Sequence, residues 1–195
     1  MRYLWSVLLL VISPLASAEW QLEGDVSRIS FVSVTRGKIA EVQRFKGLTG
    51  QIDDQGGVRL VVPLAQVDSG LAMRDEHLRN EFFQIERFPE ATISSQIDLS
   101  RFAELKPGQS QQEKVDFDLD LHGESRRLKA EVLITRSGEE RIQVTMLEPL
   151  VLKLIDFDLE ERLGPLQALS KVPTIVPEVP VYAQLSFRQV VTQNP

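Results

Sequence analysis

Apolar and polar residues alternate along most of this chain with a period of two. The alternation is clear in residues 116–122, 129–136, 141–146 and 181–188, and less regular in residues 27–35, 58–64 and 93–99. Because alternate side chains of a strand leave opposite faces, each of these segments is predicted to be a half-buried β-strand.

Short turn-forming segments separate the predicted strands. Examples are residues 53–57, Pro107–Gly108 and Ser137–Gly138. About eight strands at such short spacing indicate an all-β domain, either an antiparallel sheet closed on itself or a sandwich. A barrel of roughly eight strands is either filled by its own side chains or keeps room for one small ligand, so the size of the inward residues decides.

Two segments depart from the strand pattern. Between residues 71 and 88 apolar residues recur at helical spacing, and this segment ends at Phe88–Pro89 because proline disfavours a helical residue before it. Residues 155–171 mix acidic side chains with leucines, which predicts a short helix or an irregular excursion.

The N-terminus has the pattern of a secretory signal peptide. Arg2 precedes the apolar run Val7–Ile12, and Ala16–Ala18 is a small-x-small cleavage site. The run is too short to span a bilayer, so no permanent membrane anchor is expected. We therefore predict a cleaved signal peptide over residues 1–18 and one exported, soluble domain over residues 19–195, with the periplasm as the favoured compartment.

Charge and cysteine content narrow the function classes. The chain has 22 Lys and Arg against 28 Asp and Glu, a formal charge of −6, which becomes −7 once Arg2 is removed. A nucleic-acid-binding protein is not expected, because no basic excess is available to displace counterions from phosphates. The absence of cysteine from the sequence excludes disulfides, thiolate metal sites and cysteine nucleophiles.

Motifs that carry catalysis or bind metals are not found in the sequence. The aspartates of residues 116–120 resemble a calcium loop, but its positions six and twelve are Leu121 and Arg127 instead of Gly and an acid. His77 and His122 are the only histidines, which excludes a His-rich metal site, and no G-x-S-x-G or Gly-rich phosphate loop occurs. No catalytic residue and no metal site are therefore assigned.

One long motif resembles a known family. Residues 74–83, RDEHLRNEFF, followed by residues 88–93, FPEATI, resemble the signature of the YceI-like family, in which an R-D-x-H-L run leads to a double Phe and then an F-P step. Further landmarks in matching order are residues 26–31, 45–50, 122–127 and 179–187. The chain departs from the family pattern at Val26, where a histidine is usual, and in residues 155–159, which lack its Arg and Gly.

The resemblance implies a fold and a ligand class. The expected fold is a single antiparallel, eight-stranded, lipocalin-like barrel with a short helical flap, secreted to the periplasm. The expected ligand is an isoprenoid quinone or a polyprenyl lipid such as a polyprenyl phosphate, held in an elongated cavity. No catalytic activity and no further cofactor are implied. A second copy of the chain, forming a homodimer, stays open as a partner.

Candidate ligand-binding residues lie mostly on the predicted flap. Arg74 and Arg79 have guanidinium groups that match an anionic or carbonyl head group, although both can instead pair with acids on the flap. His77 is a candidate for the cavity mouth or for a structural hydrogen bond. The complete set expected to contact the ligand is Phe31, Phe45, Leu71, Arg74, His77, Leu78, Arg79, Phe82, Phe83, Phe88, Phe117 and Leu119.

Three functional hypotheses follow from these features. The first is a periplasmic carrier for a long apolar isoprenoid-type ligand. The second is an enzyme acting on a lipidic substrate, which requires His77 to face the cavity within hydrogen-bond reach of an acid. The third is a protein-interaction module without a ligand, which requires a barrel interior filled by side chains.

Overall fold

A computed structural model describes residues 17–35, 39–170 and 174–192. Residues 1–16 of the predicted signal peptide lie outside this part of the chain, whereas Ser17 and Ala18 pair with the far end of the last strand. Within the described residues, no helix has both the length and the apolar character needed to cross a bilayer.

Strands make up most of the described chain, and the helices are short. The strands are β1 (Ser17–Leu22), β2 (Arg28–Thr35), β3 (Ile39–Phe45), β4 (Thr49–Ile52), β5 (Gly57–Pro63), β6 (Val67–Asp68), β7 (Glu90–Gln96), β8 (Ser110–Leu121), β9 (Glu124–Gly138), β10 (Arg141–Met146), β11 (Leu150–Lys153) and β12 (Glu178–Thr192). The helices are α1 (Ala72–His77), α2 (Ser100–Ala103) and α3 (Leu163–Ser170), with a π-helical turn at Leu78–Phe82 and single 3-10 turns at Leu64–Gln66, Leu154–Phe157 and Glu160–Arg162.

The strands close into a barrel of eight positions, three of which are each occupied by two consecutive strands. β1 and β2 run on from each other and pair with successive parts of β12, and β3 and β4 pair with β2 and β1 in the same way. β10 and β11 together cover the other edge of β12. The ring is therefore β1/β2, β3/β4, β5, β7, β8, β9, β10/β11 and β12, all antiparallel. The predicted eight-stranded antiparallel barrel is confirmed, and the sandwich is wrong.

The hairpin between β8 and β9 has a two-residue turn. His122 and Gly123 both have positive φ angles, 55° and 86°, as a type I′ turn requires. A Cβ atom on Gly123 would lie 3.0 Å from the ring of Phe88, so the small residue also lets that ring approach the turn closely.

A helical flap covers the end of the barrel at which β2 ends and β3 begins. The helix predicted for residues 71–88 is shorter in the structure: α1 passes directly into the π-helical turn, which ends at Phe82. Both pack against α3, which lies in the second segment predicted to break the strand pattern. The helical flap implied by the family resemblance is thus confirmed.

Phe88 fastens the end of the flap to the β8–β9 turn. Its ring lies 4.2 Å from the imidazole of His122, measured between centroids, and the guanidinium carbon of Arg87 lies over the same ring at 5.1 Å from its centroid. The His122 Nε2 atom is 3.1 Å from Oε1 of Gln84, the residue with a φ of 51° where the chain leaves the flap. The Phe-Pro step therefore holds flap and barrel together.

Truncating this anchor should destabilise the protein. We expect Phe88→Ala to lower the free energy of unfolding by about 1–3 kcal/mol, less than for a fully buried ring because Phe88 is half-buried. Phe88→Leu, which keeps part of the apolar contact, should lose less. Urea denaturation of the two variants measures both values, and an Ala variant as stable as the parent would contradict the assigned anchor.

A cluster of hydrogen bonds around the Glu23 carboxylate connects the bend between β1 and β2 to the neighbouring strands. Arg141 donates hydrogen bonds to both oxygens of Glu23 at 2.9 Å, Arg188 donates one at 2.6 Å, and the Ser186 hydroxyl donates one at 3.0 Å. The Arg141 hydrogen bond, followed by those from Ser186 and Arg188, lowers the pKa of Glu23 from 4.5 to about 2, against the opposing effect of desolvation.

The low pKa of Glu23 predicts a pH-dependent stability. Because the unfolded chain takes up the proton at the higher pH, this contribution is complete above the unfolded pKa and is lost as pH falls from about 4.5 towards 2. Glu23→Gln should flatten this part of the curve of unfolding free energy against pH. Asp25→Asn, which removes a neighbouring exposed charge outside the cluster, should leave the slope as it is; equal slopes for the parent and Glu23→Gln would contradict the assignment.

Candidate ligand-binding cavity

A cavity of about 800 Å³ runs along the inside of the barrel. This volume is within the roughly 300–1,000 Å³ typical of small-molecule sites. Each of the eight positions of the barrel contributes inward side chains to the cavity wall, and α1, the π-helical turn and α3 cover one end of the cavity. The inward residues are therefore too small to fill the space that they enclose.

Large apolar side chains close the barrel at the end away from the flap. Trp20 pairs with Ile52, and Ile142 pairs with Phe187, and all four are buried. Of these, Ile52 and Phe187 line the cavity, whereas Trp20 and Ile142 lie beyond it. The cavity thus has one end closed by packed side chains and one end under the flap.

A chain of aromatic rings lines the cavity beneath the flap. The ring centroids of Phe31 and Phe45 are 5.4 Å apart, those of Phe45 and Phe83 are 5.8 Å apart, and Phe82 meets Phe83 edge to face at 5.0 Å. Such contacts stabilise the flap against β2 and β3 beyond the burial of area alone. Both phenylalanines of the predicted double Phe therefore face the cavity.

Polar side chains in the cavity wall are concentrated at the flap end. Ser95 is the exception, on β7. The described polar residues that line the flap end are Ser33, Thr35, Glu41, Gln43, Arg74 and His77. A ligand inside the barrel would therefore meet apolar side chains along most of its length and polar atoms near one end.

The polar end contains one ion pair and one buried amide. Arg74 binds both carboxylate oxygens of Glu41, at 3.0 and 3.1 Å, in a bidentate pair. Gln43, two residues deeper on β3 and only 3% exposed, donates from Nε2 to the Ser33 hydroxyl at 2.7 Å. Among the described residues, Oε1 of Gln43 has no hydrogen-bond partner.

The structure brings ten of the twelve sequence-predicted residues together around the cavity. These are Phe31, Phe45, Leu71, Arg74, His77, Leu78, Phe82, Phe83, Phe117 and Leu119. Arg79 and Phe88 lie outside the cavity wall: Arg79 is on the π-helical turn, and Phe88 packs on the outside against His122. Contact between these ten residues and a ligand stays a prediction.

Arg74 pairs with a different acid from those expected. The sequence suggested an acid on the flap, but the partner is Glu41 on β3. Asp75 instead accepts a hydrogen bond from the backbone N–H of Ser69 at 2.7 Å. The ion pair thus joins the flap to the barrel rim.

His77 faces the cavity, but the geometry required for an acid–base pair is not found. Within the described residues His77 has no hydrogen bond to a carboxylate, and Glu41, the acid in the cavity wall, binds Arg74. The described residues also contain no cluster of three or more His, Asp or Glu side chains able to hold a metal ion.

Sequence reasoning missed two parts of the wall. The first is the polar set on β2 and β3, where Ser33 and Gln43 occupy inward positions next to outward valines. The second is a group of leucines, including Leu163, Leu166 and Leu169, which α3 and its preceding turns place over the cavity. Their spacing of three residues was a usable signal, because such residues share one helix face.

Comparison with solved structures identifies similar folds. A polyisoprenoid-binding domain from Saccharophagus degradans, described as implicated in plant cell wall breakdown, superposes with a TM-score of 0.86 at 29% identity, covering 88% of this chain and 98% of that one. BcnA from Burkholderia cenocepacia superposes with a TM-score of 0.64 at 18% identity, covering 85% and 98%, and shows the same fold. No curated protein matches the sequence significantly.

The family comparison covers nearly the whole described chain. The YceI-like domain matches residues 20–187, which include the barrel, the flap and the cavity between them. The chain therefore belongs to the YceI-like family.

Proposed function

We propose that this protein binds one long apolar lipid of the isoprenoid type in its barrel and acts as its carrier. The observation that supports this most directly is the cavity of about 800 Å³, apolar along most of its length and polar at one end. This distribution suits an amphiphile with a long hydrocarbon tail and a small head.

The energetics of such binding need few polar contacts. Each isoprene unit buries five carbons, worth roughly 4 kcal/mol at ~0.8 kcal/mol per carbon. Association itself costs on the order of 4–15 kcal/mol, so a few buried units offset it and further units add affinity. Affinity should therefore rise with tail length until the closed end near Phe187 is reached.

The comparison with a relative of known ligand class supports the same proposal. The Saccharophagus degradans domain is a polyisoprenoid-binding domain, and this chain shares its fold over almost its full length at 29% identity. An isoprenoid quinone or a polyprenyl lipid is accordingly the ligand class that we propose for this chain.

The proposal includes the periplasm as the site of action. It rests on the signal peptide predicted for residues 1–18, which would direct export and then be removed. A carrier in an aqueous compartment between membranes would shield a tail that water cannot dissolve.

The two other hypotheses lack the observation that each requires. An interaction module without a ligand requires a filled barrel, whereas this barrel encloses a cavity. An enzyme using His77 requires an acid partner, and Glu41, the acid among the described residues of the cavity wall, is paired with Arg74.

A larger side chain that occupies part of the cavity should weaken ligand binding. Ala183 on β12 points into the cavity, and we expect Ala183→Phe to weaken binding of geranylgeraniol at least tenfold by occupying space that the tail needs. Gln184→Phe places the same ring on the exposed outer face one residue later and serves as the matched control. Titration calorimetry of the delipidated proteins measures both affinities.

Native mass spectrometry supplies the complementary test. Protein purified from a bacterial periplasm should carry a copurifying isoprenoid lipid, and Ala183→Phe should be depleted of it. If the parent protein is free of ligand and also takes up neither isoprenoid quinones nor polyprenols, the proposed function is wrong.

A further inference from the structure

The cavity reaches the outer surface of the protein at an apolar rim. Most of the described residues that line the cavity are buried or half-buried. The exposed ones among them are Leu71, Ala72 and Met73 at the start of the flap and Leu169 near the end of α3, and all four are apolar. These four residues, the apolar rim, therefore belong both to the cavity wall and to the outer surface.

Helix α3 extends the apolar rim across the outside of the cover. It packs against α1, and none of its eight residues is charged. Its exposed residues, as far as the structure describes them, are Gly164, Pro165, Ala168 and Leu169. Charged residues make up 26% of the chain, so an exposed helix face built from these four residues is a departure from the rest of the surface. Exposed apolar surfaces of this kind mark sites of contact with a partner or a membrane.

A lipid bilayer suits this surface better than a protein partner does. A stable protein interface takes roughly 20–30 residues from each side, whereas the apolar rim and the exposed face of α3 provide only a few. A protein seated on the rim would also cover the place where the cavity reaches the surface. A bilayer needs only a few apolar side chains for a weak and reversible contact, since a single myristoyl chain already gives a binding constant of roughly 10⁴ M⁻¹.

From these observations, and resting on the function proposed above, we infer that the apolar rim and the exposed face of α3 dock on a lipid bilayer and that the ligand tail passes between bilayer and cavity at this contact. Because the rim residues belong to the cavity wall as well, the docked protein offers the tail an apolar path from the bilayer to the barrel interior. A tail that crossed water instead would expose its carbons to solvent, which is the unfavourable step that the contact avoids.

The kinetics of ligand uptake test this route in the parent protein. Phosphatidylcholine vesicles that carry tritiated geranylgeraniol are mixed with an excess of delipidated protein, and the initial transfer rate is measured after the vesicles are separated by centrifugation. We expect the rate to rise in proportion to the protein concentration, because each contact delivers ligand. A rate that does not depend on the protein concentration would show that the ligand first dissolves in water, and the inference would then be wrong.

Two double variants assign the contact to the cover of the cavity. The first combines Met73→Gln with Leu169→Gln, at residues that are 72% and 46% exposed. The matched control combines Val26→Gln with Leu147→Gln, which are 65% and 40% exposed and follow β1 and β10, away from the flap. We expect the first variant to bind ligand-free phosphatidylcholine vesicles at least fivefold more weakly than the parent protein and to take up ligand at least fivefold more slowly. The control should keep the parent values.

Flotation with ligand-free vesicles separates docking from ligand entry. This measurement matters because Met73 and Leu169 also line the cavity, so their substitution can alter the affinity for the ligand as well. Vesicle binding by the delipidated protein is independent of that affinity. The thermal unfolding midpoint of each variant shows that the barrel has formed, and the uptake kinetics of the parent protein stand without any variant.

The outcomes distinguish this inference from the proposed function. If calorimetry shows that the parent protein does not bind geranylgeraniol, the proposed function fails and the inference fails with it. If the parent protein binds geranylgeraniol but the two double variants bind vesicles equally, the assigned docking surface is wrong and the cavity site stands. If sedimentation velocity shows a dimer that the Met73→Gln and Leu169→Gln pair breaks, while the parent protein does not bind vesicles, a second copy occupies the surface and the bilayer contact is wrong.

Discussion

The structure depends on the antiparallel closure of its last strand against both neighbours. β12 pairs along one edge with β1 and β2 and along the other with β10 and β11, which joins the first and last parts of the chain into one ring. An eight-stranded ring has an interior wide enough for side chains or for one small ligand. Here the residues that line the interior are mainly Leu, Val, Ile and Phe, and they leave an apolar cavity between two covered ends.

Period-two patterning predicts the strands well and their faces less well. β8, β9, β10 and the last part of β12 show the expected alternation. On β2 and β3 near the flap the polarity is inverted: Gln43 is buried, whereas Val42 is 71% exposed. Phe31 and Phe45 face the interior, and the register between β2 and β3 places Gln43 opposite Phe31 with the same orientation. Shifting one strand by a single residue would move each of its side chains to the other face of the sheet. A local sequence pattern does not show which of its two faces a strand turns towards the interior.

The flap motif was the most informative part of the sequence, but its helix ends earlier than the spacing predicts. The helix predicted from the sequence continues to residue 88. In the structure the π-helical turn inserts an extra residue into the helical repeat, and Gln84 with its positive φ turns the chain outwards. Phe88 therefore reaches the β8–β9 turn and stabilises the flap from outside the cavity.

Under the proposed function, the distribution of polar side chains in the cavity wall determines how a ligand would lie in the barrel. A ligand that binds the folded chain alone would stabilise the fold by mass action. The apolar part of the cavity would supply the affinity for the tail, whereas the polar side chains at the flap end would contact the head group.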